Sequence, residues 1–179
     1  RNEPDTMAQI RAGYHANPQF PVGNFNPQMW QALRWGYYRL IEKVDAEIGK
    51  VLAALKAAGL EENTLIVFTA DHGECAGAHG FNQKTVFNEE SARVPFIVSA
   101  PGQRAGRVSE KFTNTGIDIL PTMLDFASLP RPAKLPGVSL RPIALGQPVA
   151  SWRDHVVVQN NMSQTFPVAG NVPTTEGRM

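Results

Sequence analysis

One stretch, residues 64–95, constrains the fold of this chain more than any other. It opens with the apolar run Leu65–Phe68, which predicts a buried β-strand. Asp71 and His72 follow the end of that run, and Gly73 then allows the backbone to turn tightly. Because open α/β sheets bind ligands beyond the carboxyl ends of their strands, we expect a functional site at Asp71 and His72.

The loop that follows this strand collects side chains that can bind metals and anions. His72, Cys75 and His79 lie among closely spaced glycines, and Lys84 comes thirteen residues after Asp71 (84 − 71). A carboxylate and an imidazole can both bind a divalent cation. A lysine ammonium is a compact point charge suited to an anionic oxygen or a leaving group. Together these residue types indicate a cation that holds an anionic substrate.

Residue types alone leave other interpretations open. Asp71 can equally serve as a turn residue, His72 as a hydrogen-bonded polar group and Lys84 as a solvated side chain. His72, Cys75 and His79 could form a zinc site, although their spacing within one loop matches no usual paired zinc arrangement. Cys75 could also be a nucleophile, but the sequence places no base beside it.

The flanking segments predict helices alternating with strands. Asn26 and Pro27 predict a helix start, apolar residues then recur at steps of three and four, and Gly59 is the expected stop. The other predicted elements are strands over residues 64–70, 94–99 and 155–159 and a helix over residues 116–127 capped by Thr115. This order predicts the α/β class, with a mostly parallel sheet flanked by helices.

The long predicted helix carries aromatic residues, and we expect them to pack in a core because aromatic side chains dominate core burial. They are Trp30, Trp35, Tyr37 and Tyr38. At ~1.5 Å per residue the helix would be more than about 40 Å long. We therefore expect it to span a sheet larger than these residues build alone.

Length and composition favour one domain and exclude several classes of protein. A chain of 179 residues with 42% hydrophobic residues can bury a core. We expect a loop over residues 1–25, an α/β core over residues 26–159 and an irregular tail over residues 160–179. Charge is balanced, with 17 Lys and Arg against 16 Asp and Glu, so no nucleic-acid surface is predicted. No apolar segment is long enough to predict a membrane span.

The run from Trp35 to Gly146 resembles the sulfatase family of the alkaline-phosphatase-like superfamily. The motifs that carry the resemblance follow in order: V-D-x-x-I-G-K-V-L, N-T-L-I-V-F-T-A-D-H-G, G-x-H-G, E-E-S-x-R-V-P and T-G-I-D-I-L-P-T. The resemblance implies a partial alkaline-phosphatase-like sandwich. It also implies hydrolysis of sulfate esters, whether small molecules or saccharides, with no nucleic-acid partner.

The resemblance also implies roles for individual residues. Asp71 and His72 correspond to two ligands of a divalent cation, usually Ca²⁺. Lys84 corresponds to the family's catalytic lysine, which contacts the sulfate. His79 lies in the G-x-H-G motif, and we interpret it as a residue that shapes the loop, with substrate contact as the alternative.

The E-E-S-x-R-V-P motif has an implied role of its own. We expect Arg93 to brace the sheet by hydrogen bonds. Glu89 and Glu90 are expected to position that arginine.

The sequence departs from the family in lacking the C/S-x-P-S/A-R motif from which the formylglycine nucleophile is made. Cys75 is not that precursor, because Ala76-Gly77-Ala78 follows it. Since the chain begins at Arg1, we expect it to be a fragment, inactive alone, with the formylglycine in an amino-terminal part. The sequence leaves the localisation of the parent protein open; because the family is commonly exported, the resemblance allows a periplasmic or secreted one.

Two other functions remain open at this stage. A phosphonate monoester or phosphodiester hydrolase of the same superfamily would share the D-H-G loop and would use Mn²⁺ or Zn²⁺. A non-catalytic module would use its helix and sheet as an assembly surface.

Overall fold

A computed structural model describes residues 5–17, 22–84, 86–103 and 106–159. The described residues up to 49, those of 72–93 and residues 157–159 belong to a first compact unit, whereas residues 50–71 and the described residues of 94–156 form a second. The elements in chain order are α1 (Asp5–Ala16), α2 (Pro27–Ala57), β1 (Ile66–Thr69), α3 (Glu89–Ala92), β2 (Phe96–Ser99), α4 (Thr115–Phe126) and α5 (Arg141–Ala144). This combination of helices and strands confirms the α/β class.

The core of the first unit lies between α1 and the glycine-rich loop. Its buried residues are Ile10, Tyr14, Val22, Cys75, Phe81 and Val86. The rings of Tyr14 and Phe81 meet edge to face with centroids 5.1 Å apart, a favourable aromatic geometry. The predicted loop over residues 1–25 is therefore wrong for Asp5–Ala16. Ile10 and Tyr14, one helical turn apart, place a short apolar face of α1 in this core.

The long helix α2 begins and ends as its sequence predicts. The Asn26 Oδ1 accepts a hydrogen bond from the Met29 N–H at 2.9 Å, which caps the amino terminus. At the other end Gly59 has φ +67°, and the Leu60 N–H donates to the Leu55 carbonyl at 3.2 Å. This is the left-handed glycine stop that closes many helices.

Burial along α2 differs from the prediction for its aromatic residues. Trp30 packs against the core of the first unit, as expected. Trp35 and Tyr38 are 66% and 60% exposed, and Tyr37 is 39% exposed, so the prediction of core packing is wrong for them. The helix has no buried residue. An apolar pattern predicts which face of a helix can be buried, but it does not show that another segment packs against that face.

The two strands pair in the opposite sense to the prediction. β1 and β2 are antiparallel, with register from Ile66 opposite Ser99 to Thr69 opposite Phe96. The expected parallel pairing is therefore wrong for these strands. In the described part of the connection between them, residues 70–84 and 86–95, the helical elements are a 3₁₀ turn and the four-residue α3. Parallel strands are usually joined by a crossover that contains a full α-helix, and the described part of this connection has none. The strand predicted over residues 155–159 is also absent, since those residues have no regular structure.

The second unit contains α4 and α5 in addition to the strand pair. The side chain of Asn114, not Thr115, caps α4 by accepting a hydrogen bond from the Gly116 N–H at 2.9 Å. Pro121 lies inside this helix. The proline-rich segment after α4 includes the short helix α5. The predicted irregular tail, residues 160–179, lies outside the described residues.

In the described parts of the chain, no helix combines the length and the hydropathy that crossing a bilayer requires.

Candidate active site

Asp71 and His72 lie where the chain leaves β1. Asp71 is exposed and belongs to the second unit, whereas the half-buried His72 begins the loop of the first unit. The two residues are neighbours in sequence, so both follow the carboxyl end of the strand. Their predicted role as metal ligands stays a prediction.

The imidazole of His72 has a hydrogen-bond partner that fits a metal ligand. Its Nδ1 lies 2.8 Å from the Gly73 carbonyl oxygen. When Nδ1 carries the proton and donates to that oxygen, Nε2 is the ring nitrogen with metal-binding character. Metal-bound histidines commonly donate their second ring N–H to a backbone carbonyl in this way. A carboxylate followed by this imidazole therefore suits a divalent cation.

Glu74 is a residue to which the sequence assigned no role, and both His72 and Lys84 affect its carboxyl group electrostatically. Burial raises the pKa of the Glu74 carboxyl, while a hydrogen bond from the Ala76 N–H and the charges of His72 and Lys84 oppose that rise. His72 and Lys84 thus both lie within electrostatic reach of one carboxyl group. The sequence feature that could have pointed to Glu74 is its position two residues after His72, a predicted metal ligand.

His79 holds the shape of the loop through its backbone and its ring. It has φ +55°, a left-handed conformation that is uncommon outside glycine. Its carbonyl accepts a hydrogen bond from the Arg11 Nε at 2.7 Å, and its Nε2 lies 3.3 Å from the Glu90 Oε2. These contacts favour the loop-shaping interpretation of His79, which stays a prediction alongside the substrate contact.

The two acidic residues of α3 have different partners: Glu89 contacts Arg93, as expected, whereas Glu90 does not follow the expectation. Glu90 contacts His79. The Arg93 Nη1 lies 3.8 Å from the Glu89 Oε2, and both side chains are more than 80% exposed. An ion pair this exposed contributes little. The expectation that Arg93 braces the sheet is therefore wrong.

The short helix α3 holds the loop at two points. The Gly73 N–H donates to the Ser91 carbonyl at 2.7 Å. The Ser91 hydroxyl donates to the Lys84 carbonyl. Gly73 also has no room for a side chain, because a Cβ there would lie 2.0 Å from the Glu90 carbonyl oxygen. The loop thus depends on glycine for close backbone contact.

Cys75 is a buried core residue. It is 3% exposed, and burial raises the pKa of its thiol to about 11. A thiol in that state is neutral near pH 7, which argues against a nucleophile. Within the described ranges, no group of three or more His, Cys, Asp or Glu residues is arranged to hold a metal ion. The zinc site of His72, Cys75 and His79 is therefore not formed.

Comparison with known proteins now identifies the chain. The profile of the family described as Sulfatase matches residues 10–129. The chain belongs to the sulfatase family. Among curated relatives, this sulfatase-family chain is 34% identical to arylsulfatase K of Canis lupus familiaris over 134 residues, 75% of the chain and 24% of the relative. It is 34% identical to an arylsulfatase of Clostridium perfringens over 138 residues, 75% of the chain and 28% of the relative.

Solved structures support the same superfamily. The sulfatase-family chain is similar to the phosphonate monoester hydrolase SpPMH from Silicibacter pomeroyi, with a TM-score of 0.77, 32% identity, and coverage of 90% of this chain and 34% of that one. It is also similar to a protein solved with its substrate D-glucosamine-2-N,6-O-disulfate, with a TM-score of 0.60, 29% identity, and coverage of 77% and 27%. The chain spans about a quarter of the length of the curated relatives described above.

Proposed function

We propose that residues 1–179 are the part of a sulfuric ester hydrolase that supplies two metal ligands and one positively charged side chain that binds the substrate. Asp71 and His72 are the metal ligands, and Lys84 is the positively charged side chain. Two observations support this assignment. Ser91 hydrogen-bonds both the backbone of Gly73, next to His72, and the backbone of Lys84. The charges of His72 and Lys84 also both act on the half-buried Glu74 carboxyl. A metal ligand and an anion-binding ammonium must lie close together to act on one ester group.

The metal is a divalent cation, and we propose Ca²⁺. Two protein ligands fall short of the ~6–8 oxygen ligands that calcium prefers, so other groups must complete the site. When bound, such a cation would act as a Lewis acid on the ester oxygens and would help to hold the nucleophile. The nucleophile, a formylglycine in this family, would come from residues outside 1–179.

The chain's own residues have separable tasks in this proposal. The His72 imidazole, oriented by its Nδ1 contact with the Gly73 carbonyl, presents Nε2 to the metal. The exposed Lys84 ammonium neutralises charge on the ester oxygens or the leaving group. Glu74, half-buried and within electrostatic reach of both, limits the excess of positive charge in the loop.

A second candidate is a phosphonate monoester or phosphodiester hydrolase with Mn²⁺ or Zn²⁺. The likeness to SpPMH favours it, because that structure combines 32% identity with a TM-score of 0.77. Asp71, His72 and Lys84 would have the same tasks in either reaction. The two candidates differ in the ester that is hydrolysed, for which saccharide or aryl sulfates are our proposal.

The decisive experiment uses the full-length protein that carries residues 1–179. We would measure kcat/KM for an aryl sulfate, a phosphonate monoester and a phosphodiester in parallel. A preference for the sulfate supports the sulfatase assignment, and a preference for a phosphorus ester supports the second candidate. Activity towards none of the three would contradict both and favour a non-catalytic module.

Variants of the same protein test the residue assignment. Lys84→Ala should lower kcat/KM by about 10²–10³-fold, as losses of single charge-stabilising donors do. Lys56→Ala is the matched control, since Lys56 is an exposed lysine in the last turn of α2. Equal activity of the Lys84 and Lys56 variants would refute the role of Lys84. Residues 1–179 alone should show no turnover.

A further inference from the structure

We propose that Ser91 is a positioning residue that sets the placement of Lys84 relative to His72. This inference rests on the proposed function of those two residues. Ser91 lies in α3 and is 4% exposed. Two of its polar groups, the hydroxyl and the backbone carbonyl, bind the two ends of the active-site loop.

The hydroxyl of Ser91 binds the end of the loop that carries Lys84. It donates a hydrogen bond to the Lys84 carbonyl oxygen. The Lys84 side chain is itself exposed, with a long and flexible stem. The region that its ammonium can reach is therefore determined by where its backbone is fixed, and the Ser91 hydroxyl fixes the backbone.

The carbonyl of Ser91 binds the other end of the loop. It accepts a hydrogen bond from the N–H of Gly73 at 2.7 Å, and Gly73 directly follows His72. The contact is tight, because a Cβ on Gly73 would lie 2.0 Å from the Glu90 carbonyl oxygen. The turn at His72 thus packs against the backbone of α3.

Ser91 is held in place by its own helix. Its N–H donates to the Asn88 carbonyl at 2.9 Å, and the Ala92 N–H donates to the same carbonyl at 2.9 Å. One buried residue on this short helix therefore joins the backbone next to His72 to the backbone of Lys84. If the hydroxyl bond is lost, the Lys84 end can shift while the His72 end remains attached.

Such a shift matters because a displacement of ~1 Å at a reacting group can cost about 10²-fold in rate. A residue that only stabilised the fold would lower activity regardless of Lys84. A residue that acts by positioning Lys84 must lose its effect once the Lys84 ammonium is removed. Double-mutant cycles separate these two cases.

The test is a cycle of Ser91→Ala and Lys84→Ala in the full-length protein that carries residues 1–179. Ser91→Ala removes only the hydroxyl and keeps the carbonyl bond to Gly73. We expect it to lower kcat/KM by about tenfold with Lys84 present and by less than about twofold in the Lys84→Ala background. Ser91→Cys, of similar volume and with a weaker donor, should show the same dependence on Lys84 and serves if Ser91→Ala does not fold.

Thr122→Val is the matched control. Thr122 is 1% exposed, and in the second unit its hydroxyl donates to the Asp118 carbonyl at 2.6 Å and accepts from the Leu140 N–H at 2.9 Å. The Thr122→Val substitution should change kcat/KM by the same factor with Lys84 present and in the Lys84→Ala background. A readout without turnover is the ¹³C chemical shift of the Lys84 carbonyl, which should move upfield in Ser91→Ala and stay unchanged in Thr122→Val.

The outcomes that overturn the inference differ from those that overturn the proposed function. If Lys84→Ala impairs hydrolysis and Ser91→Ala lowers kcat/KM by an equal factor in both backgrounds, Ser91 has no positioning role. An unchanged Lys84 carbonyl shift in Ser91→Ala would refute the role as well. If Lys84→Ala leaves hydrolysis unchanged, both the proposed function and the positioning role fail.

Discussion

The guanidinium of Arg153 binds the buried carboxylate of Asp118 with two nitrogens. Nη1 lies 2.9 Å from Oδ2, and Nη2 lies 2.7 Å from Oδ1. The same carboxylate accepts hydrogen bonds from the N–H groups of Asn114 at 2.8 Å and Val138 at 2.9 Å. One fully buried charge on α4 therefore organises the segments before and after that helix.

Removing this carboxylate should destabilise the second unit strongly. Asp118→Ala leaves the guanidinium of Arg153, which is 19% exposed at its side chain, without its carboxylate partner. Breaking a buried ion pair by removing one partner costs about 3–5 kcal/mol. We expect a loss of this size in the free energy of unfolding, measured by urea denaturation.

Glu42→Ala is the control for that measurement, because Glu42 pairs with Arg39 on the exposed surface of α2. Exposed pairs contribute up to about 1 kcal/mol, so the control should unfold almost as wild type does. Equal losses in the two variants would contradict the role of Asp118 in organising the second unit.

A second carboxylate, Asp125, should make stability depend on pH. The Ser139 hydroxyl donates to it at 2.6 Å and Arg141 Nη1 lies 3.0 Å away; these contacts lower the pKa of Asp125. A lowered folded-state pKa stabilises the protein above the unfolded-state pKa of about 3.9, and that contribution is lost as the pH falls through the folded-state value.

Ser139→Ala tests this dependence, since it removes the largest cause of the shift in the pKa of Asp125. We expect the variant to be less stable than wild type at pH 7. The difference should shrink as the pH falls below about 4, where the carboxyl becomes protonated. Urea midpoints at a series of pH values would measure it, and a difference that grows on acidification would contradict it.

The glycine at the start of the active-site loop should tolerate no side chain. Gly73→Ala places a Cβ 2.0 Å from the Glu90 carbonyl oxygen, so the backbone must move. We expect a loss of stability and of activity together, measured by thermal unfolding and kcat/KM. Gly49→Ala is the control, because a Cβ there meets nothing within 4 Å on α2, and it should stabilise by about 0.5–1 kcal/mol. Similar destabilisation by both changes would show that the close contact at Gly73 is unimportant.

Cys75 should react slowly while the protein is folded. It is 3% exposed and burial raises its pKa to about 11, so little reactive thiolate exists at pH 8. Iodoacetamide labelling followed by mass spectrometry should be slow in buffer and fast in denaturant, where the pKa returns towards about 8.5. Rapid labelling of the folded protein would contradict the buried position of Cys75.

The sequence predicts those elements whose signals are local. Asn26, Pro27 and Gly59 determine the ends of α2 through hydrogen bonds and backbone angles within a few residues, and both ends are confirmed. The residues of α1 also carry a helical pattern, but among residues 7–16, whose burial is described, only Ile10 and Tyr14 are buried. So short a face is easily overlooked.

Other features depend on contacts between distant residues and cannot be predicted from local patterns. The apolar run at 155–159 resembles a strand, but a strand forms only where a partner pairs with it. Asp118 lies within a recognised motif, yet its burial and its ion pair involve Arg153, thirty-five residues away. Ser91 likewise lies within a recognised motif, but the motif does not reveal the two loop ends that this residue contacts.

The metal assignment can be tested directly by calorimetric titration of Ca²⁺, and of Mn²⁺, into the full-length protein that carries residues 1–179. Asp154→Ala is a matched control, because Asp154 and His155 form a second Asp-His pair that is largely exposed. We predict one bound cation in wild type and in Asp154→Ala, and affinity at least about tenfold weaker in Asp71→Ala and in His72→Ala, as expected when a metal-site residue is lost. Equal affinity in wild type and Asp71→Ala would contradict the assignment of Asp71 and His72 as metal ligands.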